Sequence, residues 1–145
     1  MIARDTPYGA FNFHVDLGGG VAAGFSDVSG LMTETTVSEY RNGNDPENHV
    51  RKIPGVYKVG DVTLKRGLVG QGELFAWIKD TRTQGHKAKR DISVMLMDEG
   101  RTGIVMTWRL LRALPLKHVG PTLAGKGGEV AMEELTISCE GLLVE

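Results

Sequence analysis

Period-two alternation of apolar and polar residues, broken at short intervals by glycine, limits what this chain can fold into. Between Phe11 and Leu17, Phe11, Phe13, Val15 and Leu17 fall on one side, with Asn12, His14 and Asp16 on the other. Near the C-terminus Leu135, Ile137 and Cys139 alternate with Glu134, Thr136, Ser138 and Glu140. Successive strand side chains point to opposite faces, so each run predicts a strand with one buried and one polar face. Twenty glycines spread over 145 residues supply turns and strand ends, which favours short strands over long helices.

The remaining segments extend this pattern. Gly18-Gly19-Gly20 permits a tight turn into Val21 to Phe25, predicting a hairpin with the first strand. Thr33 to Tyr40 has strand propensity but few large apolar groups, so it needs water or a partner chain on at least one side. Asn42 to Asn48 reads as a loop, Val50 to Ile53 as a basic extended piece, and Pro54-Gly55 as a further break. Val62, Leu64 and Leu68 alternate with Asp61, Thr63 and Lys65 in another strand. Glu73 to Arg82 predicts one short amphipathic helix, with Leu74, Trp77 and Ile78 inward and Glu73, Lys79, Asp80 and Arg82 outward. Ile92 to Met97 predicts a buried strand ended by the turn Asp98-Glu99-Gly100, and Val105 to Leu114 a strand with Met106, Trp108 and Leu110 on one face. The expected fold is mainly β, one domain spanning 1–145: an antiparallel sandwich or barrel of about seven or eight strands with one flanking helix.

Composition excludes several partners. Seventeen Lys and Arg against 18 Asp and Glu give a net charge of -1, which does not suit a tightly held nucleic acid. Met1 to Ala10 is polar and cannot act as a signal peptide, and no run approaches the roughly 20 apolar residues of a membrane helix. A soluble protein made in the cytoplasm is expected. Cys139 is the one cysteine and lies in an alternating apolar run, so a buried thiol is expected.

The sharpest enzyme-like signal is GPTLAGK, Gly120 to Lys126, which fits the first seven positions of a phosphate-cradling loop. Position 127 is Gly where the metal-binding hydroxyl is needed, and the following run alternates like a strand where a helix must open. The acid-ended strand Ile92 to Glu99 precedes the loop, the reverse of the usual order. His14, His49, His86 and His118 lie far apart with no paired spacing, and no Cys or acid completes a metal set. Glu133 and Glu134 are adjacent on a strand and cannot flank one bond. Ser26 and Ser29 have no nearby base, and Gly67, Gly70 and Gly72 are explained by turns because no parallel strand-helix-strand unit follows. No catalytic, metal-binding or cofactor-binding residue is assigned, and the chain is not expected to be an enzyme. A nucleotide-binding enzyme resting on Gly120 to Lys126 is the alternative from another class.

In order along the chain stand FNFHVDL from Phe11, GFSDVSGL from Gly24, VSEYRNG from Val37, RKIPG from Arg51 and VTLKRG from Val62. The helix bearing Trp77, SVMLMDEG from Ser93, TWRLLRALP from Thr107, GPTLAGKGGEVAMEEL from Gly120 and CEGL from Cys139 complete the series. This succession resembles the contractile phage tail tube protein family, the inner tubes of contractile-tailed phages, pyocins and phage-derived injection systems. The resemblance implies a β-barrel-like subunit, six of which close into a ring, and rings that stack into a hollow tube passing DNA or effector proteins. It implies a contractile sheath, a baseplate with spike and a tail terminator as partners, and assembly into a virion tail or injection particle. A ring-forming tube of the type VI secretion kind is the second reading. On the first, Glu34, Thr36, Ser38, Glu134, Thr136, Ser138 and Glu140 are expected to face the lumen, polar strand faces without Lys or Arg. Arg41, Asn42, Asn44, Asp45, Asn48, Arg51 and Lys52 are expected in a ring-stacking projection, and Glu73, Lys79, Asp80 and Arg82 on an outer wall facing the sheath.

Overall fold

The computed structural model describes residues 6–18, 22–67, 73–127 and 130–145. The expected turn residues Gly19 and Gly20, together with Val21, Leu68, Gly70 and Gly72, lie outside them. The described residues form ten strands, more than the about seven or eight expected from alternation. They are β1 (Phe13–Asp16), β2 (Ala22–Ala23), β3 (Asp27–Ser29), β4 (Thr33–Tyr40), β5 (Arg51–Val59), β6 (Val62–Gly67), β7 (Arg90–Met97), β8 (Ile104–Val119), β9 (Met132–Ser138) and β10 (Gly141–Val144). One helix, α1 (Glu73–Gln84), is followed by a 3-10 turn over Gly85–Ala88. Gly85, at φ +56, ends α1 in the left-handed conformation that glycine adopts without a Cβ clash.

The sheet runs β2-β1-β7-β8-β9-β6-β3, with β10 also on β8, and every pairing is antiparallel. Its two ends are not joined, so of the two expected architectures the closed barrel is ruled out. β8 belongs to two sheets: Ile104 to Ala113 pairs with β7, whereas Leu114 to Val119 pairs with β9. The strand turns at Arg112, which takes φ +52 while its N–H donates to Asp91 Oδ1 at 3.0 Å. β9 and β10 follow this course on the other side of β8, and the N–H of Glu140 bonds the Leu111 carbonyl at 2.9 Å between them.

The two sheets enclose Val15, Leu17, Val62, Leu64, Ile92, Val94, Leu110, Ala113, Leu135 and Ile137, and α1 adds Leu74 and Trp77. Trp77 is 1% exposed, donates from Nε1 to the Ala88 carbonyl at 2.8 Å, and carries the Arg90 guanidinium 5.3 Å from its ring centroid. One end of the first strand departs from alternation: Phe11 is exposed and Asn12 is buried. The reason is polar satisfaction, since Asn12 Oδ1 accepts from Arg101 Nε at 3.0 Å and its amide points at the carbonyls of Asp98 and Glu99.

Arg66 and Glu133 are in phase with the apolar residues of β6 and β9 and lie inside the fold, directly opposite one another and ion-paired. His118 Nε2 lies 3.2 Å from the second oxygen of Glu133. Phe75 of α1 packs on His118 with ring centroids 4.7 Å apart, and Phe25 lies under the Arg66 guanidinium at 5.4 Å. Burial alone would raise the Glu133 carboxyl, but the hydrogen bonds and charges of Arg66 and His118 outweigh it and hold it below its ordinary value.

Two outcomes test this packing. Trp77→Ala should cost about 3 to 5 kcal/mol, read from denaturant unfolding with an unchanged slope. Glu133→Gln should cost about 3 to 5 kcal/mol at neutral pH by leaving the buried Arg66 charge without this carboxylate. Because the folded pKa of Glu133 is depressed, its contribution is present above the ordinary carboxylate range and lost as pH falls through the folded value. Unfolding measured from pH about 6 to about 3 should therefore show a shallower acid decline in Glu133→Gln than in the parent.

Candidate assembly surfaces

The outward face of the sheet formed by β3, β6, β9 and the second half of β8 is polar on β3, β6 and β9 and mixed on β8, where Lys117 stands with Val119 and Leu114. Cross-strand register aligns Asp27, Lys65, Glu134 and Val119 in one row and Ser29, Thr63, Thr136 and Lys117 in the next. Ser138 continues the face opposite Leu114. The expected residues Glu134, Thr136 and Ser138 thus share one surface, half-exposed because neighbouring strands flank them. Neighbours that alternation along single strands could not reveal, Lys65 and Lys117, bring two positive charges to it, balanced by Asp27 and Glu134. Arg66 adds none, since it points inward.

Other expected members of that face lie elsewhere. Glu140 is not on it: it lies beyond the end of β9, where its oxygens meet Lys89 Nζ at 2.7 Å and Arg112 Nε at 2.8 Å. The Lys89 hydrogen bond, foremost, holds its carboxyl below the usual range. Glu34, Thr36 and Ser38 belong to β4, which pairs only with β5 in a separate two-stranded sheet.

That hairpin stands off the body. Val37, Tyr40, Ile53, Val56 and Tyr57 are all exposed on it, Val56 at 69%. Tyr57 ties its root to the body by donating to the Leu142 carbonyl at 3.3 Å. β5 continues without interruption through Pro54 and Gly55, where a break was expected, because a two-stranded ribbon has open edges on which proline loses no ladder bond. The tip is internally braced. Arg41 donates to the carbonyls of Glu47 at 3.1 Å and Asp45 at 3.2 Å, and Asp45 accepts from the Asn42 N–H at 2.9 Å and Arg51 Nη2 at 3.1 Å. Arg41, Asn42, Asp45 and Arg51 therefore shape the tip, while Asn44, Asn48 and Lys52 are exposed. The exposed apolar residues are what the sequence reading missed. Their signal was Val, Ile and Tyr on strands too polar to belong to the core.

On α1, Lys79 and Arg82 are exposed and Asp80 is half-buried, while the side chain of Glu73 lies outside the described residues. Lys87, in the turn after α1, is also exposed, and among the described residues none of Lys79, Arg82 and Lys87 forms an ion pair.

The phosphate-loop resemblance does not have the required geometry: Gly120 to Gly127 is exposed or partly exposed, and the next element is strand β9 rather than a helix. Among the described residues no three His, Cys, Asp or Glu converge as metal ligands, and no helix is long and apolar enough to cross a membrane. His118 contacts Glu133, while His14, His49 and His86 are exposed. Cys139 is half-buried against the core, and burial raises its thiol pKa.

Solved structures with this fold include several from contractile injection systems. The chain is 28% identical to one from an extracellular contractile injection system, PVC sheath/tube terminator in extended state, covering 99% of each chain at a TM-score of 0.87. It is 27% identical to one from the PVC sheath-tube complex in extended state, covering 97% of this chain and 93% of that one at a TM-score of 0.86. It is 26% identical to one from the anti-feeding prophage tube terminating cap, covering 100% and 95% at a TM-score of 0.86. Hcp1 from Flavobacterium johnsoniae shares the fold alone, at 14% identity and a TM-score of 0.60, so the type VI reading is the weaker one. No curated protein matches the sequence directly. The sequence profile of the T4-like virus tail tube protein gp19 matches residues 9–143, nearly the whole chain, and the chain belongs to that tail tube family.

Proposed function

We propose that this tail tube protein closes into rings of six, that the rings stack into a conduit, and that the outward face of β3, β6, β9 and β8 is the conduit wall. The neutral, hydroxyl-rich character of that face carries the reading. A surplus of Lys or Arg repeated around every ring would hold a passing polyanion through many phosphate contacts, and a large apolar wall would trap protein. Here Asp27 and Glu134 offset Lys65 and Lys117 on neighbouring strands, so DNA or an effector protein meets no net charge from these rows. Glu34, Thr36 and Ser38 lie on the hairpin and take no part in this wall.

The exposed apolar hairpin is assigned to contacts between copies of the chain, its braced tip reaching the next ring. A sheet protein with short open edges and an apolar projection gains by burying both in a symmetric assembly. The exposed basic residues Lys79, Arg82 and Lys87 are assigned to the surrounding sheath. The relatives resolved in sheath-tube, terminator and cap assemblies support sheath and terminator as partners, within a virion tail or injection particle; a baseplate at the tube's end is part of the same reading. The role is structural and non-catalytic.

In a Cys139→Ala background, Thr136→Cys should react freely with a bulky thiol reagent in isolated subunits and be protected in capped tubes. Equal labelling rates would place this face outside the conduit. Deleting residues 44–48 should leave the subunit's melting transition unchanged and abolish long tubes in electron micrographs. Long tubes from the deletion variant would remove the tip from the stacking contact.

A further inference from the structure

The hairpin is not a regular ribbon. From Thr33↔Val59 to Thr35↔Tyr57 the paired numbers run in step, and from Val37↔Pro54 to Tyr40↔Arg51 they do so again, but offset by one. Gly55 and Val56 of β5 together oppose Thr36 of β4, which is a one-residue β-bulge. The site is built for this arrangement. Thr36 Oγ1 donates to the Val56 carbonyl at 3.1 Å, and a Cβ at Gly55 would lie 2.8 Å from Thr36 Oγ1 and 3.2 Å from the Thr36 carbonyl oxygen. A side chain there would have to push the Thr36 hydroxyl aside and would press on the Thr36 carbonyl.

The bulge divides the hairpin into two parts with different surroundings. Its root is fastened to the body by the Tyr57 bond to Leu142, and the Gly60 N–H, which donates to the Met32 carbonyl at 3.0 Å, continues the pairing of the two strands one residue beyond Thr33↔Val59. Below the root, Gly30 at φ +87 lets the chain pass so close that a Cβ would meet the Asp61 carbonyl at 2.2 Å. The distal half beyond the bulge is exposed, with Val37 and Pro54 on one face and Tyr40 and Ile53 on the other. An extra residue in one strand bends that strand and increases its twist, so a bulge between a fastened root and a free distal half sets the bearing of that half.

We propose that the Thr36/Gly55–Val56 bulge is a positioning device for assembly, aiming the distal apolar faces of the hairpin at a second copy of this chain. The inference rests on the reading of the hairpin as a contact between copies. The bulge contributes no contact of its own through Gly55, which has no side chain; it fixes where Val37, Tyr40 and Ile53 arrive.

Deleting Gly55 tests this selectively. With Gly55 gone, Thr36 opposes Val56 directly, and Val37↔Pro54 and Ser38↔Ile53 remain partners, so every side chain on both faces is kept and only the bend is lost. The deletion variant should melt with the parent, because the distal half lies off the core. A Ser38→Cys/Ile53→Cys disulfide should still form in it, reporting intact pairing. It should nonetheless fail to yield tubes of the parent's axial repeat, whereas Thr36→Ser, which keeps the hydroxyl bond, should assemble as the parent does. Tubes of parental repeat from the Gly55 deletion overturn the proposal. If the 44–48 deletion also assembles normally, the contact role of the hairpin itself falls; if it fails while the Gly55 deletion assembles, only the bulge's role falls.

Discussion

Two sheets share one strand, and the rest of the molecule depends on where that strand bends. Sixteen residues of β8 run from one sheet into the other, and the change of direction falls at Arg112. A non-glycine residue at positive φ is costly and persists only where its surroundings compensate. Here Asp91 holds the Arg112 N–H, Glu140 takes its guanidinium together with Lys89, and the neighbouring Ala113 is fully buried. Because β9 and β10 follow β8 through the same corner, both sheets turn together. The space they enclose is closed by α1 through Leu74 and Trp77.

The division between an inner and an outer side of the second sheet follows from that geometry. Inside, Arg66, Glu133 and His118 form a polar layer that is tolerable because each group meets an opposite charge, a hydrogen bond or an aromatic face. Outside, the same strands present hydroxyls and balanced charges. One strand pair therefore does two jobs by parity alone: Arg66 and Glu133 hold strands together from within, while Lys65 and Glu134, one position along, face out. The hairpin follows another rule. It has no inner side in the monomer, so its Val, Ile and Tyr residues stay exposed until another surface covers them. On the proposed assembly, another copy of the chain supplies that surface.

Much of this was legible in the chain. Alternation located β1, β6, β7, β9 and the start of β8, and the three-and-four spacing of Leu74, Trp77 and Ile78 located α1. Of the polar set Glu134, Thr136, Ser138 and Glu140 expected on one face, the first three share it because strand parity is a local property, and Glu140 lies past the strand's end. The in-phase position of Arg66 with Val62 and Leu64 was a readable sign of burial, since parity outranks charge when a partner waits on the adjacent strand. Phe11 and Asn12 misled for the converse reason: alternation ran past the end of the strand into a segment governed by the carbonyls of a distant turn.

The sequence by itself determined the fold class, the helix, the parity of the clearly alternating strands and membership of the tail tube family, because these rest on periodicities and local spacings that a single chain carries. Tertiary structure alone decided which polar faces adjoin. Strand order brought Lys65 and Lys117 beside Glu134, took Glu140 to the corner of β8, and separated Glu34, Thr36 and Ser38 onto a hairpin of their own. It also turned Pro54-Gly55 from an expected break into a continuous strand with a bulge. Pairing between strands is set by contacts between residues far apart in the chain, and period-two alternation says which way a side chain points but not which neighbour it meets.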